Sequence, residues 1–324
     1  SSAASDVYKR QAVSVPLNDD YSINEPEFRA YLRWIKTFYG KGMDGLVCNG
    51  HTGEITGLTR AERKRVVEIC AEECGDVMTI ISGVNCENTA ESIEMAKEAK
   101  EAGADGILLM PPHMWLRFGM NPDAPFEYVK DVAEGADIDI IIHLYPATSK
   151  AFYPVETLIK MCKEIDHVKC IKMGTRVTSI YEHDVRLLRQ ECPDISLITC
   201  HDETLCVSWF PGMDGALIGF AGCVPEIICP AREVFANPDK HTLKEAQDWS
   251  DRIYHISQAI YGGGQPSGEA HARLKEALKQ RGIFSSALMR KPVLPLNQEE
   301  KDWVALGLER SQLPEVDMTQ FEDK

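Results

Sequence analysis

The chain has 324 residues, of which 44% are hydrophobic and 26% charged, and its formal net charge is -15 at pH 7. This composition is typical of a globular protein with enough apolar material for a core, and the length alone does not decide between one domain and two. The acidic balance argues against a nucleic-acid backbone or an anionic membrane as partner, because both would repel the protein. No apolar run approaches the ~18 residues that a membrane helix needs, so we expect no membrane partner.

Eleven cysteines occur without CxxC pairs or a secretory signal. This usage favours reduced thiols and a cytoplasmic location over a disulfide framework. Cys70 and Cys74 could place two thiols on one helix face, but no second ligand pair is visible, and we predict no metal site. Residues 1–11 are small, polar and unpatterned, so we predict a disordered tail or a cloning remnant there.

From Ala12 onward, apolar runs typical of strands alternate with amphipathic runs typical of helices. The predicted strands are 12–16, 45–48, 77–82, 106–110, 138–145, 168–172, 196–200 and 215–219. Helical patterns between them include 60–73, 89–102, 154–164 and 179–190. Thr59, with an acidic residue three positions later at Glu62, predicts a capping box that opens its helix.

This alternation predicts an α/β protein whose parallel sheet closes into a (β/α)8 TIM barrel. An open doubly wound sheet is the alternative, but no glycine-rich dinucleotide turn follows the first strand. After Pro225 the pattern is purely helical, at 227–236, 242–261, 268–282 and 299–310. We therefore predict a barrel over residues 12–236 and a C-terminal helical extension over residues 237–324, packed on the barrel.

The main candidate for chemistry is Lys172, near the end of the short apolar stretch IDHVKCIKMGTR. Strand side chains alternate between two faces, so Lys172 shares a face with Cys170 and not with Ile171. A parallel strand that is buried on both faces should be nearly all apolar. A lysine ammonium at this position must be paired with an anion, lose its proton, or take part in a reaction.

Other polar groups follow neighbouring strands, where barrel enzymes place their chemistry. The run NGHTGE, Asn49 to Glu54, offers tight turns and free N–H groups for an anion, although a plain tight turn explains it equally well. His143 and Tyr145 share parity and could both face the mouth of the barrel as proton carriers, or be ordinary core residues. His201 and Asp202 are candidate polar contacts.

With these segments in order, the chain resembles the dihydrodipicolinate synthase / N-acetylneuraminate lyase family of class I, Schiff-base-forming aldolases. NGHTGE is similar to the family's G-x-T-G-E loop, HLYP to its Tyr-Asn-x-Pro segment, and CIKMGT to the strand that presents the Schiff-base lysine. Further segments resemble family segments in the same order, namely LLMPPHMW, DGALIGFAGCVPE, and QPSGEAHARLKEAL followed by RKPVLPL. Each motif is weak alone, but their order and spacing together are specific.

The resemblance implies a lyase in which Lys172 attacks the ketone of a 2-oxo acid such as pyruvate and forms an imine. No metal or organic cofactor is then expected. The implied catalytic residues are Lys172, Tyr145 and His143, and the implied substrate-binding residues are Gly50, His51, Thr52, Asp202 and Ala216. Family membership also implies a homodimer or homotetramer.

Several positions depart from the family pattern. His143 falls where the family has its catalytic tyrosine, and we favour Tyr145 as the proton-relay hydroxyl with His143 as its neighbour or substitute. His51 replaces a relay threonine, the segment Pro112-His113-Met114 lacks the tyrosine that the synthases lend across a subunit interface, and Thr148 occupies the region of an arginine. These changes favour cleavage, condensation or dehydration of a different hydroxylated 2-oxo acid. Two alternatives stay open: a 4-hydroxy-tetrahydrodipicolinate synthase proper, and a non-catalytic carboxylate sensor on the same fold.

Overall fold

The computed structural model describes residues 10–262 and 267–323. In this part of the chain a single parallel sheet contains eight strands in chain order. The strands are β1 (Arg10–Ala12), β2 (Gly45–Cys48), β3 (Thr79–Val84), β4 (Gly106–Leu109), β5 (Asp139–Leu144), β6 (Val168–Met173), β7 (Ser196–Thr199) and β8 (Gly215–Ala216). The strands are therefore parallel neighbours throughout, which requires a crossover between each pair.

Helices supply these crossovers and then continue beyond the sheet. They are α1 (Glu25–Lys36), α2 (Arg60–Cys74), α3 (Thr89–Glu101), α4 (Met114–Phe118), α5 (Ala124–Ala136), α6 (Val155–Glu164), α7 (Thr178–Glu191), α8 (Leu205–Trp209), α9 (Pro225–Ala236), α10 (Leu243–Tyr261), α11 (Gly268–Gln280) and α12 (Gln298–Arg310). The capping box that opens α2 is confirmed, since Thr59 accepts from the Glu62 amide and the Glu62 carboxylate accepts from the Thr59 amide. The predicted parallel α/β sheet and the helical C-terminal region are both confirmed.

Burial explains why these short segments form strands. Every residue of β2 and β4 is buried, as expected for parallel strands with packing on both faces. The Cα atoms of β1 and β8 approach within 8 Å of each other, so the sheet curves back towards its first strand. This curvature brings the carboxyl ends of all the strands around one shared opening.

Two predicted strands differ from the structure by three or more residues at one end, and the others differ by two residues at most. The predicted strand 12–16 is wrong beyond Ala12, because only Val13 still donates to the Val47 carbonyl before the chain leaves the sheet. The Pro16 carbonyl accepts from the Asn24 amide instead, so this segment bonds outside the sheet. The predicted strand 215–219 ends at Ala216, and Phe220–Gly222 form a 3-10 turn. Residues 1–9 of the predicted tail 1–11 lie outside the described residues. Residues 10 and 11 belong to β1.

All eleven cysteines are free thiols, in line with the expected absence of a disulfide framework. Among the described helices, none has both the length and the apolar character required to cross a membrane. Within residues 10–262 and 267–323, no group of three or more His, Cys, Asp or Glu side chains is arranged to hold a metal ion. The division into a barrel of residues 12–236 and an extension of residues 237–324 stays a prediction.

Candidate active site

A cavity of about 320 Å³ lies at the carboxyl ends of the strands. Loops that follow β2, β5, β6, β7 and β8 line it together with the start of α11. Seven of the residues proposed from the sequence line this cavity: Gly50, His51, Thr52, His143, Tyr145, Lys172 and Asp202. The structure thus brings together side chains that lie more than 150 positions apart in the chain.

Two sequence-based candidates lie elsewhere. Ala216, which the resemblance assigns to substrate binding, does not line the cavity; Leu217 and Gly219 do, and Ala216 has the opposite parity. His201 is also outside the cavity and packs its ring against Tyr181, with ring centroids 4.5 Å apart. It lines a separate cavity formed by α7, α8 and the loops next to them.

Lys172 on β6 is paired in register with His143 on β5. Residues paired in this way point to the same face, so both side chains reach the cavity from adjacent strands. In the part of the chain that the structure describes, the Lys172 ammonium makes no hydrogen bond or ion pair. Burial lowers the pKa of Lys172, and the nearby Arg176 charge acts in the same direction, whereas Cys200 and Asp202 oppose it. This environment favours a neutral, nucleophilic amine.

The loop from Asn49 to Glu54 turns back over the cavity. Asn49 and Glu54 have positive φ angles of 53° and 58°, and the Glu54 amide donates to the His51 carbonyl at 2.9 Å. Gly83 must be glycine, because a Cβ there would lie 1.8 Å from the Asn49 carbonyl oxygen. Among the described residues, no acceptor is bonded to the amides of His51 and Thr52. These two amides are therefore available to an anion in the cavity.

A buried ion pair fixes the far end of this loop to α11. The Lys275 ammonium lies 2.5 Å from Glu54 Oε2, and its aligned hydrogen bond, 2.8 Å long, goes to the Leu288 carbonyl. Lys275 is 1% exposed and Glu54 is 9% exposed. A charge pair with so little access to water holds only when both partners are satisfied. The C-terminal helices therefore position the anion loop.

The Tyr145 hydroxyl joins two imidazoles. It lies 2.8 Å from His113 Nε2 and 3.1 Å from His51 Nε2. His143 packs edge-on against the Tyr145 ring, with centroids 4.9 Å apart, and stacks at 5.3 Å from His51. The structure thus connects Tyr145 with the two substituted positions noted in the sequence, His51 and His113.

His143 itself is buried, and its Nδ1 atom has no hydrogen-bond partner. A buried unpaired nitrogen is costly unless a ligand satisfies it. Burial also moves the pKa of His143 well below its ordinary value, and the charge on Lys172 adds to this effect. His143 is therefore a neutral imidazole with one free hydrogen-bonding position beside Lys172.

The other imidazoles around the cavity are neutral for the same reason. Burial lowers the pKa of His51 to about 3, with Lys172 as the next cause. Burial lowers the pKa of His271 to about 4, again with Lys172 second. Burial also lowers the pKa of His113, and Glu87 opposes this shift. Neutral imidazoles can each donate and accept, so the cavity wall suits hydroxyl and carbonyl groups.

A second polar cluster supports the cavity from β8 and α10. Asp202 accepts from the Gly219 amide at 2.6 Å and from the Tyr261 hydroxyl at 2.9 Å. A Cβ on Gly219 would lie 2.8 Å from Thr52 Oγ1 and 2.7 Å from the Tyr261 hydroxyl. Glycine is therefore required where these three polar groups converge.

Sequence reasoning missed Arg176 and His271 as lining residues. Arg176 ends the stretch that carries Lys172, so its position four residues later was a usable signal. Its guanidinium donates to the Glu203 carboxylate at 2.8 Å and to the Cys200 and Gly174 carbonyls at 2.9 Å. Arg176 therefore holds the loops after β6 and β7 together. His271 comes from α11, about a hundred positions after Lys172 in the chain. No local pattern around it indicates this position.

The model of the dihydrodipicolinate synthetase family matches residues 10–310. The 4-hydroxy-tetrahydrodipicolinate synthase of Bartonella bacilliformis is 26% identical over 304 residues, covering 93% of this chain and 97% of that protein. A prophage protein of the dihydrodipicolinic acid synthase family from E. coli, solved in complex with pyruvate, has the same fold at TM-score 0.83 and 20% identity, with 95% of this chain and 99% of that chain covered.

The N-acetylneuraminate lyase of Fusobacterium nucleatum matches at TM-score 0.79 and 21% identity, over 94% of this chain and 98% of that chain. At these identities the solved structures establish the fold, and the family match establishes descent over almost the whole described chain. The resemblance noted in the sequence is confirmed: the chain belongs to the dihydrodipicolinate synthetase family.

Proposed function

We propose that this protein is a class I lyase that binds a 2-oxo acid as an imine on Lys172. One observation carries the proposal: Lys172 faces the cavity without a partner, with its pKa lowered by burial. Family membership supports lyase chemistry. The E. coli relative was solved with pyruvate, which supports a 2-oxo acid as the ligand here.

In the proposed reaction, the neutral amine of Lys172 attacks the ketone carbon, and the ketone oxygen takes a proton. Loss of water then leaves a positively charged imine, which draws electrons from the neighbouring bond. In cleavage, the hydroxyl of the substrate gives up its proton, its oxygen forms an aldehyde, and the released electron pair makes an enamine. In dehydration, the carbon next to the imine loses a proton instead, and the enamine of the intact substrate expels its hydroxyl group, which takes up a proton and leaves as water. Water hydrolyses the imine and returns Lys172.

The remaining residues act by binding or by proton transfer. The Thr52 hydroxyl and the amides of His51 and Thr52 hold the carboxylate of the 2-oxo acid, next to Gly50. Tyr145 supplies and removes protons, and His143 uses its free Nδ1 position on the ligand. The imine itself accepts the electron pair, so we propose that no metal or organic cofactor takes part.

The reaction type and the second substrate belong to the same proposal. Imidazoles at positions 51, 113 and 143 favour a hydroxylated 2-oxo acid over the partner used by the synthases. We also propose that the sheet closes into a complete (β/α)8 barrel and that the protein forms a homodimer or homotetramer. The cytoplasmic location stays a prediction from cysteine usage.

Exchange of the methyl protons of pyruvate in deuterated water tests this function without knowledge of the second substrate. The imine and enamine interconvert by moving a methyl proton, so the wild type should exchange pyruvate protons catalytically. Lys172→Ala should abolish the exchange. Lys169→Ala, on the same strand but near its amino end and away from the cavity, should not. No exchange by folded wild-type protein would contradict the proposal.

A panel of hydroxylated 2-oxo acids then separates the reaction types. Release of pyruvate together with an aldehyde identifies cleavage, whereas loss of water without pyruvate identifies dehydration. Condensation of pyruvate with aspartate semialdehyde would identify the synthase reaction instead.

A further inference from the structure

A second cavity, of about 450 Å³, lies beside the candidate active site. Helices α7 and α8 and the loops next to them form its wall. Its volume is within the range of small-molecule binding sites in proteins and exceeds the 320 Å³ of the cavity at Lys172. The reaction proposed for Lys172 makes no use of this space.

His201 lines this second cavity with an unsatisfied acceptor. The residue is 6% exposed, and within the described part of the chain its Nε2 atom has no hydrogen-bond partner. Burial and the nearby Arg176 charge lower the pKa of His201 to about 4, so the imidazole is neutral. The backbone of Thr175 opposes this shift, as expected of a carbonyl that accepts from the other ring nitrogen, Nδ1. Nε2 therefore carries a lone pair, which a ligand with an O–H group would satisfy.

The charged side chains around this cavity are already paired with each other. Arg176 donates to Glu203 at 2.8 Å, and Arg186 donates to Glu182 at 2.7 Å. Among the described residues that line the cavity, these two positive and two negative charges cancel. A ligand that fits this wall is therefore uncharged, because a net charge would find no free partner here.

Aromatic and aliphatic side chains form the rest of the wall. The Tyr181 ring packs against His201 with centroids 4.5 Å apart. Val207 and Phe210 line the same cavity and are 62% and 65% exposed. Apolar side chains that remain exposed around one cavity are typical of a binding site, and aromatic rings pack well against other rings. The wall therefore suits an aromatic body that carries one hydroxyl group.

The two cavities share a wall, because residues 200–203 alternate between them. Cys200 and Asp202 line the cavity at Lys172, whereas His201 and Glu203 line the second cavity. Arg176 lines both. A ligand bound to His201 therefore contacts the segment that also shapes the candidate active site.

We propose that the second cavity binds an uncharged aromatic hydroxy compound, whose hydroxyl donates to His201 Nε2, and that its occupancy strengthens binding in the cavity at Lys172. The ligand binds the arrangement in which Asp202 accepts from the Gly219 amide and the Tyr261 hydroxyl, and it favours that arrangement over others. The binding site is independent of the proposed function, whereas its effect on pyruvate rests on that function.

Phenol and toluene are matched probes for the site, since they differ in the hydroxyl group. Isothermal titration calorimetry without pyruvate should show that phenol binds the wild type more tightly than toluene does. His201→Phe keeps a ring of similar size but removes the acceptor, so it should weaken phenol binding about tenfold and leave toluene binding unchanged. His183→Phe, at an exposed position on α7, is the control and should change neither.

A substitution on the exposed wall gives a second test that does not disturb a buried residue. Phe210→Ala removes an aromatic contact, so it should weaken phenol and toluene binding alike, by about fivefold. Phe118→Ala, at a phenylalanine that is 73% exposed on α4, should leave both unchanged. Absence of phenol binding to the folded wild type, or equal phenol affinity in the wild type, His201→Phe and Phe210→Ala, would overturn the site.

Pyruvate proton exchange tests the coupling between the two cavities. Saturating phenol should lower the pyruvate concentration at half-maximal exchange about fivefold, and pyruvate should tighten phenol binding by the same factor, because such coupling is reciprocal. His201→Phe should lose most of this effect. An unchanged pyruvate dependence would overturn the coupling.

The borohydride-reduced pyruvate adduct shows which cavity holds phenol. Phenol should still bind to this adduct, whereas loss of binding would place phenol in the cavity at Lys172 and overturn the site. If the wild type forms no adduct and exchanges no protons, the proposed function fails, and the binding measurements made without pyruvate still decide whether the second site exists.

Discussion

Two lysines in this protein, one half-buried at the cavity wall and one fully buried, have opposite surroundings. Lys275 pairs with Glu54 and donates to the Leu288 carbonyl, so its charge has a partner. Lys172 lies at the cavity wall and makes no described hydrogen bond or ion pair. Burial lowers the pKa of both. A lysine with partners maintains the structure, whereas a desolvated lysine without one is free to react.

The two lysines are also linked through the anion loop. Lys275 anchors Glu54, and the same loop presents Gly50, His51 and Thr52 to the cavity that contains Lys172. The structural lysine therefore shapes the site in which the reactive lysine works. Their roles can be separated, because one substitution should affect catalysis and the other should affect folding.

Lys172→Met should have the largest effect on catalysis. Loss of the nucleophile should lower pyruvate proton exchange by at least about 10⁴-fold, since the covalent route is gone. Replacement of an unpaired buried amine by an apolar chain should leave the free energy of unfolding unchanged or raise it by about 1 kcal/mol. Urea unfolding and the exchange assay measure the two quantities. A large loss of stability would mean that Lys172 has a structural partner.

Lys275→Met should have the largest effect on stability. It leaves the Glu54 carboxylate buried without its cation, which costs about 3–5 kcal/mol in urea unfolding. Lys275→Met combined with Glu54→Gln should recover part of this loss, because no unpaired charge remains. Lys163→Met, at an exposed pair with Glu191, is the control and should cost less than about 1 kcal/mol. Equal losses at positions 275 and 163 would contradict the comparison.

Acid should destabilise the folded protein through the histidines around the cavity. Folding lowers the pKa of His51 to about 3 and of His271 to about 4 from the ordinary 6.5. Between pH 4 and pH 6.5, the histidine at position 271 binds more protons in the unfolded chain than in the folded one. The stability that depends on its neutral form is therefore complete above pH 6.5 and is lost as the pH falls towards 4.

The expected slope is up to about 1.4 kcal/mol per pH unit for each such histidine. His271→Gln should flatten the fall of Tm with decreasing pH, and His183→Gln should not. Identical pH profiles for His271→Gln and the wild type would show that the imidazole at 271 is not held neutral by the fold.

Thr52→Val should have the smallest effect. The change removes one hydroxyl from the carboxylate site and keeps the two amides, so the pyruvate concentration at half-maximal exchange should rise about fivefold. Thr56→Val, at an exposed position just beyond the same loop, is the matched control. An unchanged pyruvate dependence in Thr52→Val would place the carboxylate elsewhere in the cavity.

The sequence predicts what depends on local pattern. Parity along a strand grouped His143 with Tyr145, and both line the cavity, because side-chain alternation is a property of any strand. Ala216 was proposed from the family resemblance and not from parity, and Leu217, which has the other parity, lines the cavity. The predicted strand 12–16 was wrong beyond Ala12 because apolar residues and strand pairing are different properties, and the chain leaves the sheet after Val13.

Contacts between distant loops could not be predicted in this way. The bond between Tyr145 and His113 depends on how the β4 and β5 loops meet, and the position of His271 depends on where α11 packs. The Glu54–Lys275 pair likewise joins residues over 200 positions apart. Such contacts are set by tertiary packing, which no short pattern around either residue encodes.

Borohydride trapping with pyruvate, followed by peptide mapping, tests the central claim most directly. Lys172, Lys275 and the exposed lysines compete for pyruvate in the same sample, and reduction records which amine formed the imine. We predict one stable adduct per chain, on Lys172, with Lys275 unmodified. An adduct on Lys275, or none in folded protein, would contradict the distinction between a lysine held by its partners and a lysine left free to react.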